Sequence, residues 1–323
     1  MRAPDFWQTN KGGLRSLALA PLGWLYGAAG ATIWVMARPW KAPVPVICIG
    51  NLVAGGAGKT PVALDLARRL IKRGKAVHFL SRGYGGSEAG PLRVDPDLHT
   101  SESVGDEPLL LARRAPTWVA VDRPSGCRAA VEAGAEMIIM DDGFQNPSVA
   151  KDLSVIVVDG GYGFGNGRVL PAGPLRETLA SGLKRADAVV VIGGDGTVNL
   201  PQNHPPLIKA RLAASPESLA IKGQAVVAFA GIGRPGKFFE TLRTIGCDIR
   251  AAHAFADHHP YNAADLDWLR HQATNEGAQL VTTEKDAVRL PGKDREGIAT
   301  VAITLAWDDE TAIDDLLEQA LKL

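Results

Sequence analysis

The sequence predicts an α/β fold: a doubly wound, mostly parallel sheet, a second and smaller α/β unit after it, and an apolar helix ahead of both. Three observations carry this expectation. Short apolar, β-branched runs recur along the chain with helical stretches between several of them, the pattern of strands buried on both faces. Residues 44–70 read V-P-V-I-C-I-G-N-L-V-A-G-G-A-G-K-T-P-V-A-L-D-L-A-R-R-L, a strand, a glycine-rich turn and a helix in immediate succession. Residues 16–37 contain no charged side chain.

The uncharged stretch is long enough to span a bilayer. Pro21 and glycines at 23, 27 and 30 interrupt it, and cations flank both ends (Lys11 and Arg15; Arg38 and Lys41), so no positive-inside asymmetry is visible. Trp24, Trp34 and Trp40 suit the headgroup region, so the expectation is a helix lying in or dipping into the inner leaflet. The plainer alternative is a buried helix of a soluble core.

In the stretch that follows, residues 44–49 form the strand, and Val53, Ala54, Gly55, Gly56, Ala57 and Gly58 form the loop. Backbone N–H groups of small residues close around phosphates, and the helix that follows adds its positive end. Lys59 would reach the β/γ-phosphates, and the Thr60 hydroxyl would hold Mg²⁺. Pro61 is tolerated in the first helical turn. The strict pattern G-x(4)-G-K-[ST] asks for glycine where Val53 stands, so only its G-G-x-G-K-T core is present. The predicted sheet is therefore P-loop NTPase-like, with ligands beyond the carboxyl ends of its strands.

Further strands are expected over residues 76–80, 118–121, 137–140, 155–158 and 188–192, with a helix around 128–133. Residues 194–206 read as a loop, and a composition break near 214–222 marks a boundary. Beyond it come a strand (225–230), helix (235–245), strand (248–253), helix (262–276), strand (279–283), strand (298–305) and closing helix (308–321). The 323-residue length suits more than one domain. The expected division is a membrane-associated segment 1–41, a P-loop domain 42–216 and a smaller α/β domain 217–323.

Composition bounds the function. Lys plus Arg and Asp plus Glu are 35 each, so nothing pulls the whole chain toward nucleic acid. Cys48, Cys127 and Cys247 lie far apart without a C-x-x-C pair, which argues against a zinc cluster or disulfide framework and fits a reducing cytosol.

Several motifs sit just after strand-like runs. M-I-I-M-D-D (137–142) has the Walker B form, placing Asp141 and Asp142 where Mg²⁺ would be. G-D-E-P (105–108) sets Asp106 and Glu107 before an apolar helix, either as helix capping or beside a phosphoryl acceptor. In S-R-G-Y-G-G (81–86), Arg82 would meet phosphate and Tyr84 would stack near the nucleotide; a plain surface loop explains the run equally well. Residues 160–177 are glycine-rich and carry Arg168 and Arg176, candidates for neutralising a transferring phosphoryl group. G-I-G-R-P-G (231–236) matches G-x-G-x-x-G but lacks an acidic residue ending the next strand, so it reads as a tight turn. F-A-D-H-H (255–259) offers histidines for proton handling, although an Asp-His pair is more often a surface turn. T-E-K-D (283–286) lacks the N-K-x-D spacing of guanine-specific GTPases.

Taken together and in this order, these motifs resemble the tetraacyldisaccharide 4'-kinase family of the lipid A pathway of Gram-negative bacteria. The resemblance rests on the apolar N-terminal helix, G-N-L-V-A-G-G-A-G-K-T-P, S-R-G-Y-G-G, G-D-E-P, D-D-G-F-Q, V-L-P-A-G-P-L-R-E, F-A-D-H-H and T-E-K-D-A-V, and it runs along most of the chain. It implies transfer of the γ-phosphate of ATP to the 4'-hydroxyl of a lipid disaccharide 1-phosphate at the cytosolic face of the inner membrane, with no obligate protein partner. It also implies Asp106 as proton acceptor paired with His258, and Lys59 on the phosphates. Thr60, Asp141 and Asp142 would place Mg²⁺ with Gln145 and Glu177 nearby, and Arg123 and Arg176 would neutralise charge. The family typically continues D-D-G-F-Q-H, whereas Asn146 stands here, which leaves a positioning role but no proton transfer at that position. The competing classes are a membrane-associated P-loop ATPase or GTPase switch and a non-catalytic membrane-tethered binding module.

Overall fold

The computed structural model describes residues 4–8, 12–194, 198–290 and 292–322. Lys11, expected to flank the apolar helix, and residues 195–197 of the expected loop lie outside these. The uncharged stretch forms one helix, α1 (Gly13–Met36). It is long and apolar enough to cross a membrane by length and composition. It is not a core helix: Trp24 is 82% exposed, Leu25 68% and Val35 86%. A few residues moor it to the body. Ser16 Oγ donates to Ala172 O at 2.6 Å, Gly23 lies against the Val169 carbonyl, and the Trp34 ring lies beneath the Arg185 guanidinium at 4.0 Å.

The large sheet has nine strands: β1 (Val46–Gly50), β2 (Val77–Ser81), β3 (Leu92–Arg93), β4 (Thr117–Val119), β5 (Met137–Asp141), β6 (Leu153–Asp159), β7 (Ala188–Ile192), β8 (Leu207–Ala214) and β13 (Ile303–Trp307). Their spatial order is β13-β8-β7-β6-β1-β5-β2-β4-β3, parallel except for β3 and β13 at the two edges. Every residue of β1, β2, β5, β6 and β7 is buried. That is why these runs are continuously apolar rather than alternating.

Helices cover both faces: α2 (Lys59–Lys72), α3 (Ser101–Val104), α4 (Asp106–Ala112), α5 (Arg123–Glu132) and α6 (Leu179–Lys184). α2 buries Val62, Ala63, Leu66, Ala67 and Leu70, spaced along one helical face, against β1, β2, β5 and β13.

The smaller sheet is wholly parallel, in the order β10-β9-β11-β12: β9 (Ala225–Ala230), β10 (Asp248–Ala254), β11 (Gln279–Thr283) and β12 (Ile298–Val301). Its helices are α7 (Pro235–Ile245), which starts on a proline and stops at left-handed Gly246, α8 (Ala263–Asn275), capped by Asn262, and the short α9 (Glu284–Ala287).

Two expectations need correction. The single strand over 298–305 is two: β12 ends the small sheet, and after Ala302 the chain crosses back as β13, antiparallel to β8. The closing helix α10 (Glu310–Leu321) then packs Ile313, Leu316 and Leu317 into the core shared with α2. So residues 303–321, expected with the unit 217–323, lie on the large sheet. β8, the strand inside the β13 edge, has no counterpart among the expected strands, because its solvent-exposed positions carry Lys209 and Arg211 and break the apolar run.

Candidate active site

The site forms at the carboxyl ends of the central parallel strands. β1 and β5 pair with Ile49 opposite Asp141, and Asp142 N donates to Ile49 O at 2.9 Å. The loop after β1 and the acidic pair after β5 are therefore neighbours.

Gly58 holds φ +84° immediately before α2, and a Cβ there would lie 2.8 Å from Ile192. Both facts require glycine. Val53, by contrast, forms an antiparallel bridge with Leu175, and Ala54 N donates to Pro174 O at 2.8 Å. An extended, paired backbone takes valine readily, which explains why the strict motif fails at this position. Asn51, unremarked in the sequence, braces the loop from inside by donating Nδ2 to Val53 O at 2.8 Å and to Gly55 O at 3.1 Å.

Lys59 is buried, its Nζ 3.5 Å from both Asn51 Oδ1 and Asp142 Oδ1. Burial raises the Asp142 carboxyl, but Lys59 and Arg176 (Nη1 at 3.0 Å) outweigh it and hold Asp142 below the ordinary carboxylate range. Asp142 adopts φ +53°, a conformation uncommon outside glycine that turns the chain off the sheet end. Gln145 Nε2 donates to Asn51 O at 3.0 Å and to Glu177 Oε1 at 3.2 Å, while Glu177 pairs with Arg185 at 2.7 Å.

Asp141 is the site's unsatisfied carboxylate. It is 1% exposed, and neither of its oxygens has a hydrogen-bond partner among the described residues. Burial, reinforced by the nearby Glu107 charge, raises it to about 7. A buried carboxylate without partners awaits a proton or a cation. Among the described residues, no three His, Cys, Asp or Glu side chains gather to hold a metal unaided. Mg²⁺ takes one or two carboxylates and completes its shell with phosphates and water, so Asp141 at the end of β5 and the buried Thr60 in the first turn of α2 fit such an ion. Glu177 does not join them; it is committed to Arg185 and Gln145.

The second half of the site crosses between the sheets. Asp106 begins α4 after Gly105, which holds φ +89° and whose Cβ would meet Tyr84 O at 2.6 Å. From the smaller unit, His258 Nδ1 lies 2.7 Å from Asp106 Oδ2. Arg289 Nε donates to the same oxygen at 2.7 Å. Burial raises the Asp106 carboxyl, but these two partners outweigh it and hold it below its usual range. The contact with Asp106 raises the His258 imidazole above its ordinary value. Next to them, Lys285 Nζ meets Glu107 Oε1 at 2.7 Å.

Two expected residues stand apart from these contacts. Arg123 is 3% exposed, and its Nη1 bonds the Ala120 and Val121 carbonyls at the end of β4. Tyr84 is 81% exposed on its loop. Gly231, in the G-x-G-x-x-G stretch, donates its N–H to Asp286 Oδ1 and accepts from His258 N and Arg289 Nη1. The stretch thus serves as a turn supporting His258.

The sequence model of the tetraacyldisaccharide-1-P 4'-kinase family matches residues 15–322. The chain belongs to this family. It is 55% identical over 322 residues to the tetraacyldisaccharide 4'-kinase of Paramagnetospirillum magneticum, covering 99% of this chain and 98% of the relative. It is 52% identical over 327 residues to that of Rhodospirillum centenum, covering 99% and 97%. Its fold matches a crystal structure described as the "apo" form of LpxK from Aquifex aeolicus in complex with ATP, with TM-score 0.77 and 28% identity over 94% of this chain and 99% of that one. For a member of this kinase family, the residues that sequence reasoning missed are Asn51, Lys285 and Arg289. Arg289 directly follows the T-E-K-D-A-V run, but nothing local marks it as part of the site.

Proposed function

We propose that this protein transfers the γ-phosphate of ATP to the 4'-hydroxyl of a tetraacyldisaccharide 1-phosphate, with Asp106 receiving the hydroxyl proton. The observation that carries the reading is the asymmetry of the Asp106 carboxylate. Oδ2 takes His258 and Arg289, while Oδ1 has no hydrogen-bond or ion-pair partner among the described residues and is free to meet an acceptor hydroxyl. As the bond from the 4'-oxygen to phosphorus forms and the bridge to ADP breaks, the proton passes to Oδ1. A weakly basic carboxylate suffices because in a loose phosphoryl-transfer transition state the acceptor's proton leaves late. His258 steadies the carboxylate through Oδ2.

The loop 53–58 would wrap the phosphates, with Lys59 leaving Asn51 and Asp142 for the β/γ-oxygens. Arg176 is placed to neutralise charge beside Asp142. Thr60 and Asp141 would hold Mg²⁺, which when bound offsets the negative charge of the triphosphate. The exposed apolar surface of α1 would lie in the inner leaflet at the cytosolic face, bringing a site fed by soluble nucleotide to a substrate held in lipid.

The test is transfer of label from [γ-³²P]ATP to a tetraacyldisaccharide 1-phosphate in detergent micelles. The proposal expects labelled lipid from the wild type and labelling slowed by about a hundredfold or more in Asp106→Asn. Nucleotide hydrolysis that proceeds equally without lipid would overturn it.

A further inference from the structure

We infer that Arg289 is the positioning residue of the site: anchored inside the smaller unit, its guanidinium fixes Asp106 Oδ2 so that Oδ1 is presented to the acceptor. The inference rests on the reading of Asp106 as proton acceptor given above.

The geometry is that of a fork gripped at its base. The Arg289 side chain is 3% exposed. Nη1 donates to Gly231 O at 2.7 Å and to Asp286 Oδ1 at 2.9 Å. Nε and Nη2 lie 2.7 and 2.6 Å from Asp106 Oδ2. Asp286 is itself immobilised. It is 0% exposed and accepts from Gly231 N at 2.9 Å, Tyr261 OH at 2.8 Å and Thr283 Oγ1 at 2.6 Å. The carbonyl of Gly231 that receives Arg289 also receives His258 N at 3.0 Å. One buried network thus fixes both partners of Asp106 Oδ2. His258, with its side chain 55% exposed, has no comparable anchor of its own.

A planar, permanently charged fork is required because three acceptors on three separate segments must be met at once, which a lysine ammonium on a flexible stem does poorly. The groups around Asp106 are His258 and Arg289 against it, Glu107 beside it on α4, Lys285 on Glu107, Asp257 near His258 at 3.9 Å, and Asp286 behind Arg289. Removing Arg289 therefore leaves His258 as the direct cationic partner of Asp106 among the described residues, and raises the Asp106 pKa.

The experiment compares wild type, Arg289→Met, Arg289→Lys and Asp106→Asn for kcat, KM for ATP and the pH dependence of kcat, with circular dichroism and ATP affinity as folding checks. Expected for Arg289→Met are a kcat loss of about a hundredfold, KM for ATP within twofold, and an acid limb of the kcat–pH profile moved up by about one unit. Arg289→Lys, which preserves charge and much of the volume, should lose about tenfold with a smaller shift of the limb. If Arg289→Met does not fold, Arg289→Lys decides alone. An unchanged kcat and acid limb in a folded variant, with Asp106→Asn slowed by about a hundredfold or more, overturns the role of Arg289. Full turnover by Asp106→Asn instead overturns the proton-acceptor reading on which it rests.

Discussion

Asp106 Oδ2 and His258 Nδ1 lie 2.7 Å apart across a sequence separation of 152 residues, one on the large sheet's α4 and the other on a loop of the smaller unit. Neither unit alone holds both groups. Asp106→Asn should lower kcat by about 10²–10⁴-fold with ATP affinity intact, as removal of a proton acceptor does. His258→Gln should lower kcat less, because Arg289 continues to hold the carboxylate. Steady-state kinetics with isothermal titration of ATP separates the two effects.

The same pair makes stability depend on pH. His258 has a folded pKa above its unfolded one, so its contribution is complete below about pH 6.5 and is lost as pH rises through the folded value. Asp106 has the opposite sign: its contribution is present above about pH 4 and is lost as pH falls through its depressed folded value. His258→Gln should therefore destabilise more at pH 6 than at pH 9, by chemical denaturation at each pH.

Asp141 predicts a different pH response. Its carboxyl is raised to about 7 in the folded chain, so between about pH 4 and 7 the native state holds a proton that the unfolded state has lost, and stability falls as pH rises. Asp141→Asn should raise the melting temperature of the nucleotide- and metal-free protein at pH 8 while abolishing turnover. In the wild type, Mg²⁺–ATP should stabilise more strongly as pH passes through 7, because a cation competes with that proton.

Lys59→Ala should weaken Mg²⁺–ATP binding and lower turnover by about 10²–10³-fold, the scale of removing one charge-stabilising donor from a transferring phosphoryl group. It also leaves Asp142 with Arg176 as its remaining ion-pair partner. A Lys59→Ala variant with wild-type turnover would contradict the placement of the phosphates on this loop.

Trp24→Asp with Leu25→Asp on α1 should weaken binding to anionic phospholipid vesicles by tenfold or more, since each side chain contributes about 1.5–3 kcal/mol when buried in apolar surroundings. Activity on a short-chain substrate in dilute detergent should be retained. Flotation assays supply the comparison.

Most of the parallel sheet was legible because burial on both faces writes a strand as an unbroken apolar run, as in Met137–Asp141 and Ala188–Ile192. The same logic hid β8, whose exposed Lys209 and Arg211 interrupt the apolar run. It also merged β12 with β13, because Ala302 joins two apolar strands without a turn residue between them. The phosphate loop and the acidic pair could be read because backbone geometry and register need particular residues at fixed spacing. Arg289 could not. Its role depends on Asp106, 183 positions away, and no local pattern distinguishes a buried clamp from a surface arginine.

The return of β13 and α10 to the large sheet decides what happens when the chain is shortened from its end. Asp65 on α2 accepts from Trp307 Nε1 at 2.7 Å and from Arg69 at 2.8 Å, and Arg69 reaches Asp314 on α10. Where the chain leaves the large sheet for the smaller unit and where it comes home, the two passes lie side by side, Ser215 N bonded to Ala302 O at 2.9 Å. The smaller unit is thus a loop-out inserted between β8 and β13, hung from one edge by twin cords. Cutting after Val301 would strip the outermost strand and a covering helix from the nucleotide-side body and leave the excursion's own four strands complete.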